Sequence, residues 1–205
     1  MAQCSPQISA RTPCAWKGIA SDVLSAAGLY RDASGLVHIP YRGLGGATVR
    51  ERIEAPSGRR WWSDGEGISL FGLERMPAYS RQSALFVGEG ESDTLAAVES
   101  DMQAVGCPGA YAFRPEWRPL VEDFALLYAV GDGDPAGVAF TWAVRRAIPW
   151  ARPVVMPDGF DLRALLQLRQ QTVVWRQLAA ADQMARLEHA VLNAADLATA
   201  RAWLR

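Results

Sequence analysis

The sequence predicts an α/β protein in which a parallel sheet flanked by helices follows a small α+β subdomain and precedes a helical tail. Two compact apolar runs, ALFV at 84–87 and FALLYAV at 124–130, read as strands, the second nearly all apolar as a strand covered on both faces must be. Each leads into a helical stretch, at 93–105 and 136–148, and strand–helix alternation of this kind implies βαβ units. Upstream, short alternating runs separated by Gly-rich or polar turns read as a small antiparallel sheet.

In chain order, residues 1–16 carry two prolines and no clean period, which suits a mobile or loosely docked arm. GIASDVLSAA at 18–27 suits a short helix closed by Gly28. Strands are expected at 36–41, 48–54, 60–62 and 68–73, with turns at GLGG, APSG and SDGEG between them. After the first apolar run and its helix come a brief strand near Tyr111 and a helix near 116–122. A short strand is expected at 153–156, and helix from Asp161 to the C-terminus. The resulting division is an N-terminal arm at 1–23, a small α+β subdomain at 24–82, the parallel-sheet domain at 83–165 and a helical tail at 166–205.

Half of the 205 residues are apolar and 21% are charged, enough for a substantial core. The net charge of -1 argues against a histone-like polycation. It does not exclude a nucleic-acid partner, because acidic metal ligands can mask a basic face in the sum. Of the 21 basic residues only Lys17 is a lysine, and arginine offers a planar, bidentate grip on phosphate. Cys4, Cys14 and Cys107 lack the paired spacing of a zinc ribbon or a disulfide framework, and His38 and His189 are the only histidines. No apolar run reaches membrane-spanning length and no signal-peptide pattern opens the chain, so a cytoplasmic protein without a membrane partner is expected.

Two motifs stand where an α/β sheet places its ligands, just past the carboxyl ends of strands. In LFVGEGESDTL, Glu89 follows the first apolar strand; in LYAVGDGDPAG, Asp132 and Asp134 follow the second. Carboxylates at the ends of buried strands need a cationic partner, and a hard ion such as Mg2+ suits oxygen ligands. Taken alone, G-E-G is usually a turn. D-x-D-x-x-G could open an EF-hand loop, but the twelfth position of that loop would be Ala143 rather than a bidentate glutamate. The pairing of the two motifs, each between an apolar strand and a helix, is more specific than either piece.

Together the motifs resemble those of the Toprim family, shared by bacterial primases, topoisomerases and small nucleases. That family is marked by E-G-x-x-D after one strand and D-x-D-x-x-G after a later one. This chain has Glu89-Gly90-Glu91-Ser92-Asp93 and Asp132-Gly133-Asp134-Pro135-Ala136-Gly137. The resemblance implies a Rossmann-like sheet in which Glu89 acts as general acid/base or metal contact. It also implies that Asp132 and Asp134 hold Mg2+ (or Mn2+), with Gly90, Asp93 and Gly137 shaping the loops. Asp93 would brace the loop or cap the following helix. MPDGFDLRALL resembles the segment that follows in primase-type members and nominates Asp161 as a further metal contact, an ordinary helix N-cap being the alternative. VGCPGAYAF resembles the small-residue turn between the motifs in phage and plasmid primases, with Cys107 as a packing residue.

Residues 37–76 resemble the small domain that precedes this core in primases of the bacterial DnaG type and their phage and plasmid counterparts. Arg42, Arg50, Arg52, Arg59, Arg60 and Arg75, interleaved with Trp61 and Trp62, would grip phosphates and stack bases. The alternative is an amphipathic sheet with solvated arginines and core tryptophans. The resemblance implies a primase-like, metal-dependent nucleotidyl transferase that synthesises primers in replication, with single-stranded DNA and nucleoside triphosphates as partners. A Toprim-type nuclease or a non-catalytic replication factor are the alternatives; a topoisomerase is disfavoured, because no tyrosine is placed by a recognisable motif. The sequence contains no paired zinc ligands and no G-x-x-x-x-G-K-[ST] loop, so either a separate helicase or zinc-binding template-recognition protein is a partner or the sequence is a fragment of a longer protein.

Overall fold

A computed structural model of the protein describes residues 12–65 and 67–193. The chain divides into two compact units, Met1–Pro77 and Ala78–Arg205. The first eleven residues of the expected arm and the last twelve of the expected tail lie outside the described residues.

The first unit is a five-stranded antiparallel sheet in the order β1-β2-β3-β4-β5. Its strands are β1 (Thr12–Pro13), β2 (Tyr30–Arg31), β3 (Val37–Arg42), β4 (Thr48–Glu54) and β5 (Arg60–Trp62), with helix α1 (Ser21–Ala26) between β1 and β2. Residues 12–16, expected in the arm, are therefore part of the sheet region, and Cys14 and Trp16 are buried. The indole of Trp16 donates to Glu54 at 3.1 Å. Alternation along β3 sends Val37, Ile39 and Tyr41 into the core.

The stretch 68–73 is not a strand of this sheet. Leu70 and Phe71 are buried there, but Gly72 takes φ +84° and the chain turns into a 3-10 helix at Leu73–Ala78. A positive φ breaks the extended backbone that pairing requires.

The second unit holds a four-stranded parallel sheet in the order β7-β6-β8-β9. The strands are β6 (Ala84–Gly88), β7 (Ala104–Gly106), β8 (Leu126–Gly131) and β9 (Arg152–Val155). Helices α2 (Glu91–Glu99), α3 (Arg118–Val121), α4 (Pro135–Ala147), α5 (Leu162–Gln167) and α6 (Gln171–Asn193) connect or cover them. The helix expected at 93–105 stops at Glu99, because Asp101 adopts φ +60° and the chain re-enters the sheet as β7. The strand expected near Tyr111 is this one, five residues upstream, and Tyr111 itself is exposed.

Helix α6, within the expected helical tail, packs on this unit. Val174, Leu178 and Ala181, spaced along one helical face, are buried in a core shared with Phe86, Tyr128, Val154 and Leu165. The hydroxyl of Tyr128 donates to Asp182 at 2.7 Å, and Arg152 pairs with the same carboxylate. Burial, and then this carboxylate, push the Tyr128 hydroxyl up to about 12. Asp182→Ala removes the acceptor from both partners and is expected to destabilise the protein by about 1–3 kcal/mol. Urea unfolding reads this as a lower midpoint at unchanged slope; an unmoved midpoint contradicts the anchoring role.

No helix among the described residues is long and apolar enough to cross a membrane.

Candidate active site

From β6 the chain crosses to β7 on one side, then back past β6 to β8 on the other. The topological switch point therefore lies between β6 and β8, where open α/β sheets form their ligand crevice at the carboxyl ends. Gly88 pairs with Val130 and Gly131 pairs with Val155, so β6, β8 and β9 end nearly level. Glu89 and Asp132 are the next residues after β6 and β8. They meet: the Asp132 backbone N–H donates to Glu89 Oε2 at 3.4 Å.

The other acidic residues stand at helix starts around this pair. Asp134 is the exposed N-cap of α4, its Oδ1 accepting from the Gly137 amide at 2.8 Å. Asp161 caps α5 through the Ala164 amide at 2.5 Å and bonds Arg163 through its other oxygen at 2.9 Å. Asp93, 6% exposed, caps no helix of its own. Its Oδ1 instead accepts from the Arg163 backbone N–H at 2.9 Å and ties α2 to the start of α5.

Two glycines make the loop after β8 possible. A Cβ on Gly133 would collide with the Pro157 carbonyl, and one on Gly137 with the Asp132 backbone. Gly133 donates to the Phe160 carbonyl at 2.8 Å and accepts from the Gly159 amide at 3.0 Å. The loops after β8 and β9 are thereby laced together, which explains the glycine spacing in G-D-G-D-x-x-G physically. Gly90 is the extended residue before α2, at φ -151°. Cys107 is fully buried, and desolvation, reinforced by Glu89, raises its thiol to about 12.

The crevice carries excess negative charge. Burial first, then Glu89, Asp161 and Asp134, raise Asp132 to about 7, while Arg163 opposes the shift. Asp93 rises to about 7 for the same leading reason, with Asp132 and Asp161 adding to it. Glu89 is also raised, by burial and then by Asp134 and Asp93, against the Asp132 amide. Among the described residues, no group of three or more His, Cys, Asp or Glu stands ready-assembled around a metal position. Asp134 and Asp161 are held by helix amides instead of closing on Glu89 and Asp132. The donor chemistry nevertheless fits a hard divalent cation, which takes carboxylate oxygens and keeps several waters.

The buried Asp93 gives a pH signature. Its folded value, about 7, lies above the ordinary 3.8, so between those values the folded state retains a proton that the unfolded chain has lost. Stability then falls as pH rises through that window. In chelator, Asp93→Asn preserves the Oδ1 acceptor and is expected to gain on the wild type by up to a few kcal/mol between pH 5 and pH 8. Denaturation midpoints across that range test this; parallel curves would contradict it.

Of the nominated arginines, Arg50, Arg52 and Arg60 share one face of β4 and β5, because Arg52 pairs with Trp62 and Arg60 with Glu54. Arg50 and Arg52 share a face of β4 and flank the Trp62 ring at 5.5 and 5.4 Å. Arg50 also donates to the Ser63 carbonyl at 2.8 Å. Arg60 pairs with Glu54 at 2.6 Å. Arg59 lies over Trp61, 6.0 Å from the ring centroid, while the Arg42 guanidinium packs against Gly28. Trp62, rather than Trp61, is thus the aromatic partner of the paired arginines. Arg163, the cation within the acidic crevice, was not among the expected site residues. Its one sequence signal is a position two residues past Asp161 at a helix start.

Solved structures share this architecture. The chain superposes on the primase fragment of the bacteriophage T7 primase-helicase protein with a TM-score of 0.71 at 18% identity, covering 83% of this chain and 75% of that one. The DnaG primase catalytic domain bound to single-stranded DNA gives 0.63 at 17% identity, with 80% and 68% covered. The RNA polymerase domain of Mycobacterium tuberculosis primase DnaG gives 0.54 at 20% identity, with 90% and 71% covered. The fold is that of a DnaG-type primase-like core. No family profile matches the chain. A sequence relative places it more closely: the chain belongs to the family of the Gene 57 protein of Mycobacterium phage D29, 30% identical over 128 residues, 62% of this chain and 83% of that protein.

Proposed function

We propose that the second unit is a Toprim-type nucleotidyl-transfer centre and that the protein synthesises primers on single-stranded DNA in replication. The observation that carries this is the meeting of Glu89 and Asp132 at the switch point of a primase-type fold, with Asp134 and Asp161 on the adjoining helix starts. Glu89, Asp132, Asp134 and Asp161 are the residues that would hold Mg2+ or Mn2+. When bound, such an ion supplies neutralisation of the triphosphate and of the departing pyrophosphate.

The chain's own groups do the rest. Glu89, beside Asp132 at the switch point, is placed either to accept the proton of the attacking 3′-hydroxyl or to contact a metal. Gly133 and Gly137 keep the loop backbone close-packed, so the carboxylates present a fixed edge to the substrate. In the first unit, the Arg50–Trp62–Arg52 face is suited to phosphate and base stacking of a single-stranded template. A separate helicase or zinc-binding template-recognition protein completes the set of proposed partners.

The test is incubation with linear single-stranded DNA of mixed sequence carrying a fluorescent end label, radiolabelled NTPs or dNTPs, and Mg2+ or Mn2+. Short labelled oligomers with the template intact support the proposal. Cleavage of the template instead would assign the same carboxylates to phosphodiester hydrolysis, and neither product would leave a binding role.

A further inference from the structure

Arg163 lies inside the acidic crevice without belonging to the ligand set. Its Nη2 donates to Asp161 at 2.9 Å and its Nη1 to Gln167 at 3.0 Å, while its backbone N–H separately holds Asp93. Its charge acts on both Asp93 and Asp132. Asp161 therefore has one oxygen committed to the α5 amide and the other to a guanidinium. A cation entering the crevice therefore meets a guanidinium already seated on Asp161 and is repelled by it at that carboxylate.

We propose that Arg163 is a resident counter-cation that competes with the divalent metal for Asp161 and thereby sets the metal affinity of the crevice. The inference rests on the proposed metal-dependent reading of the same site. Two like charges drawn to one carboxylate oppose each other, so the guanidinium keeps metal binding weaker than four carboxylates alone would make it. The main-chain tie to Asp93 does not depend on the side chain, so the charge can be removed while the loop brace stays in place.

The experiment is titration of the full-length protein with Mn2+ alone, following free Mn2+ by electron paramagnetic resonance. Arg163→Gln is expected to bind Mn2+ roughly threefold to tenfold more tightly than the wild type, the size of one unit charge a few ångströms away in a polar crevice. Arg163→Lys keeps the charge and is expected to remain within about twofold of the wild type. Asp132→Asn serves as the control for binding in the crevice and is expected to weaken it. Equal or weaker binding by Arg163→Gln, with wild-type binding intact and sensitive to Asp132→Asn, overturns the competition while leaving the metal site standing. Absence of Mn2+ binding by the wild type overturns both. Melting curves of each variant confirm that the comparison is between folded proteins.

Discussion

Asp132→Asn is expected to lower the rate of dinucleotide formation by roughly a hundredfold or more, the scale on which preorganised charge at a reacting centre acts. Asp132 follows β8, buried along all but its first residue, its amide donates to Glu89, and its carboxyl group is raised to about 7 by burial and by three neighbouring carboxylates. A cation beside it would relieve the repulsion of those carboxylates. The asparagine is nearly isosteric and removes charge from a crowded anionic site. The variant should therefore fold at least as stably as the wild type without metal, so lost activity cannot be assigned to unfolding. Single-turnover measurement on a short template, paired with a melting curve in chelator, checks both halves. Undiminished turnover, or a collapsed melting midpoint, contradicts this assignment.

Gly133→Ala is expected to produce the largest loss of stability, about 4 kcal/mol or more, in the range reserved for substitutions that force the backbone to move. The added methyl would fall on the Pro157 carbonyl, which belongs to main chain and cannot swing aside as a side chain could. Moving it breaks the bonds from Gly133 to Phe160 and from Gly159 to Gly133 that lace the two loops together. Those loops carry Asp132, Asp134 and Asp161, so the remaining folded fraction should also lose activity. Gly45, beside which an added Cβ meets nothing within 4 Å, is the natural control. Chemical denaturation of Gly133→Ala and Gly45→Ala compares them, and equal midpoints would contradict the close-packing account.

What the sequence discloses here follows from how strongly each feature is constrained. Glu89, Asp132 and Asp134 were legible because each motif is bracketed by an apolar strand and a helix, and because glycines mark where backbone meets backbone. β4 and β5 were legible to the residue, since alternating side chains between turns leave little freedom of register. β7 was not: its three residues, Ala104–Gly106, are too few to show an alternation, and the turn that ends α2 early rests on the positive φ of Asp101. The partner of Arg50 and Arg52 was hidden because neighbouring tryptophans point to opposite faces of β5, and pairing of Arg52 with Trp62 decides between them. For α6, the spacing of Val174, Leu178 and Ala181 shows that a face is buried but not that β8 and β9 lie beneath it. Asp161 could be read as cap or site residue from sequence; the structure makes it a cap that also acts electrostatically on Asp132. Arg163 was missed because arginine at the start of a helix ordinarily faces solvent, and only the fold brings it to Asp93 and Asp132.

The most direct test of the central claim is labelled-nucleotide incorporation on single-stranded DNA in Mg2+ by the wild type and by Glu89→Gln, at matched melting midpoints. The account predicts short primers from the wild type and none above background from the variant, because Glu89 shares the switch-point crevice with Asp132. Equal primer yields from the two proteins would show that nucleotidyl transfer, if present, is not carried by this acidic pair.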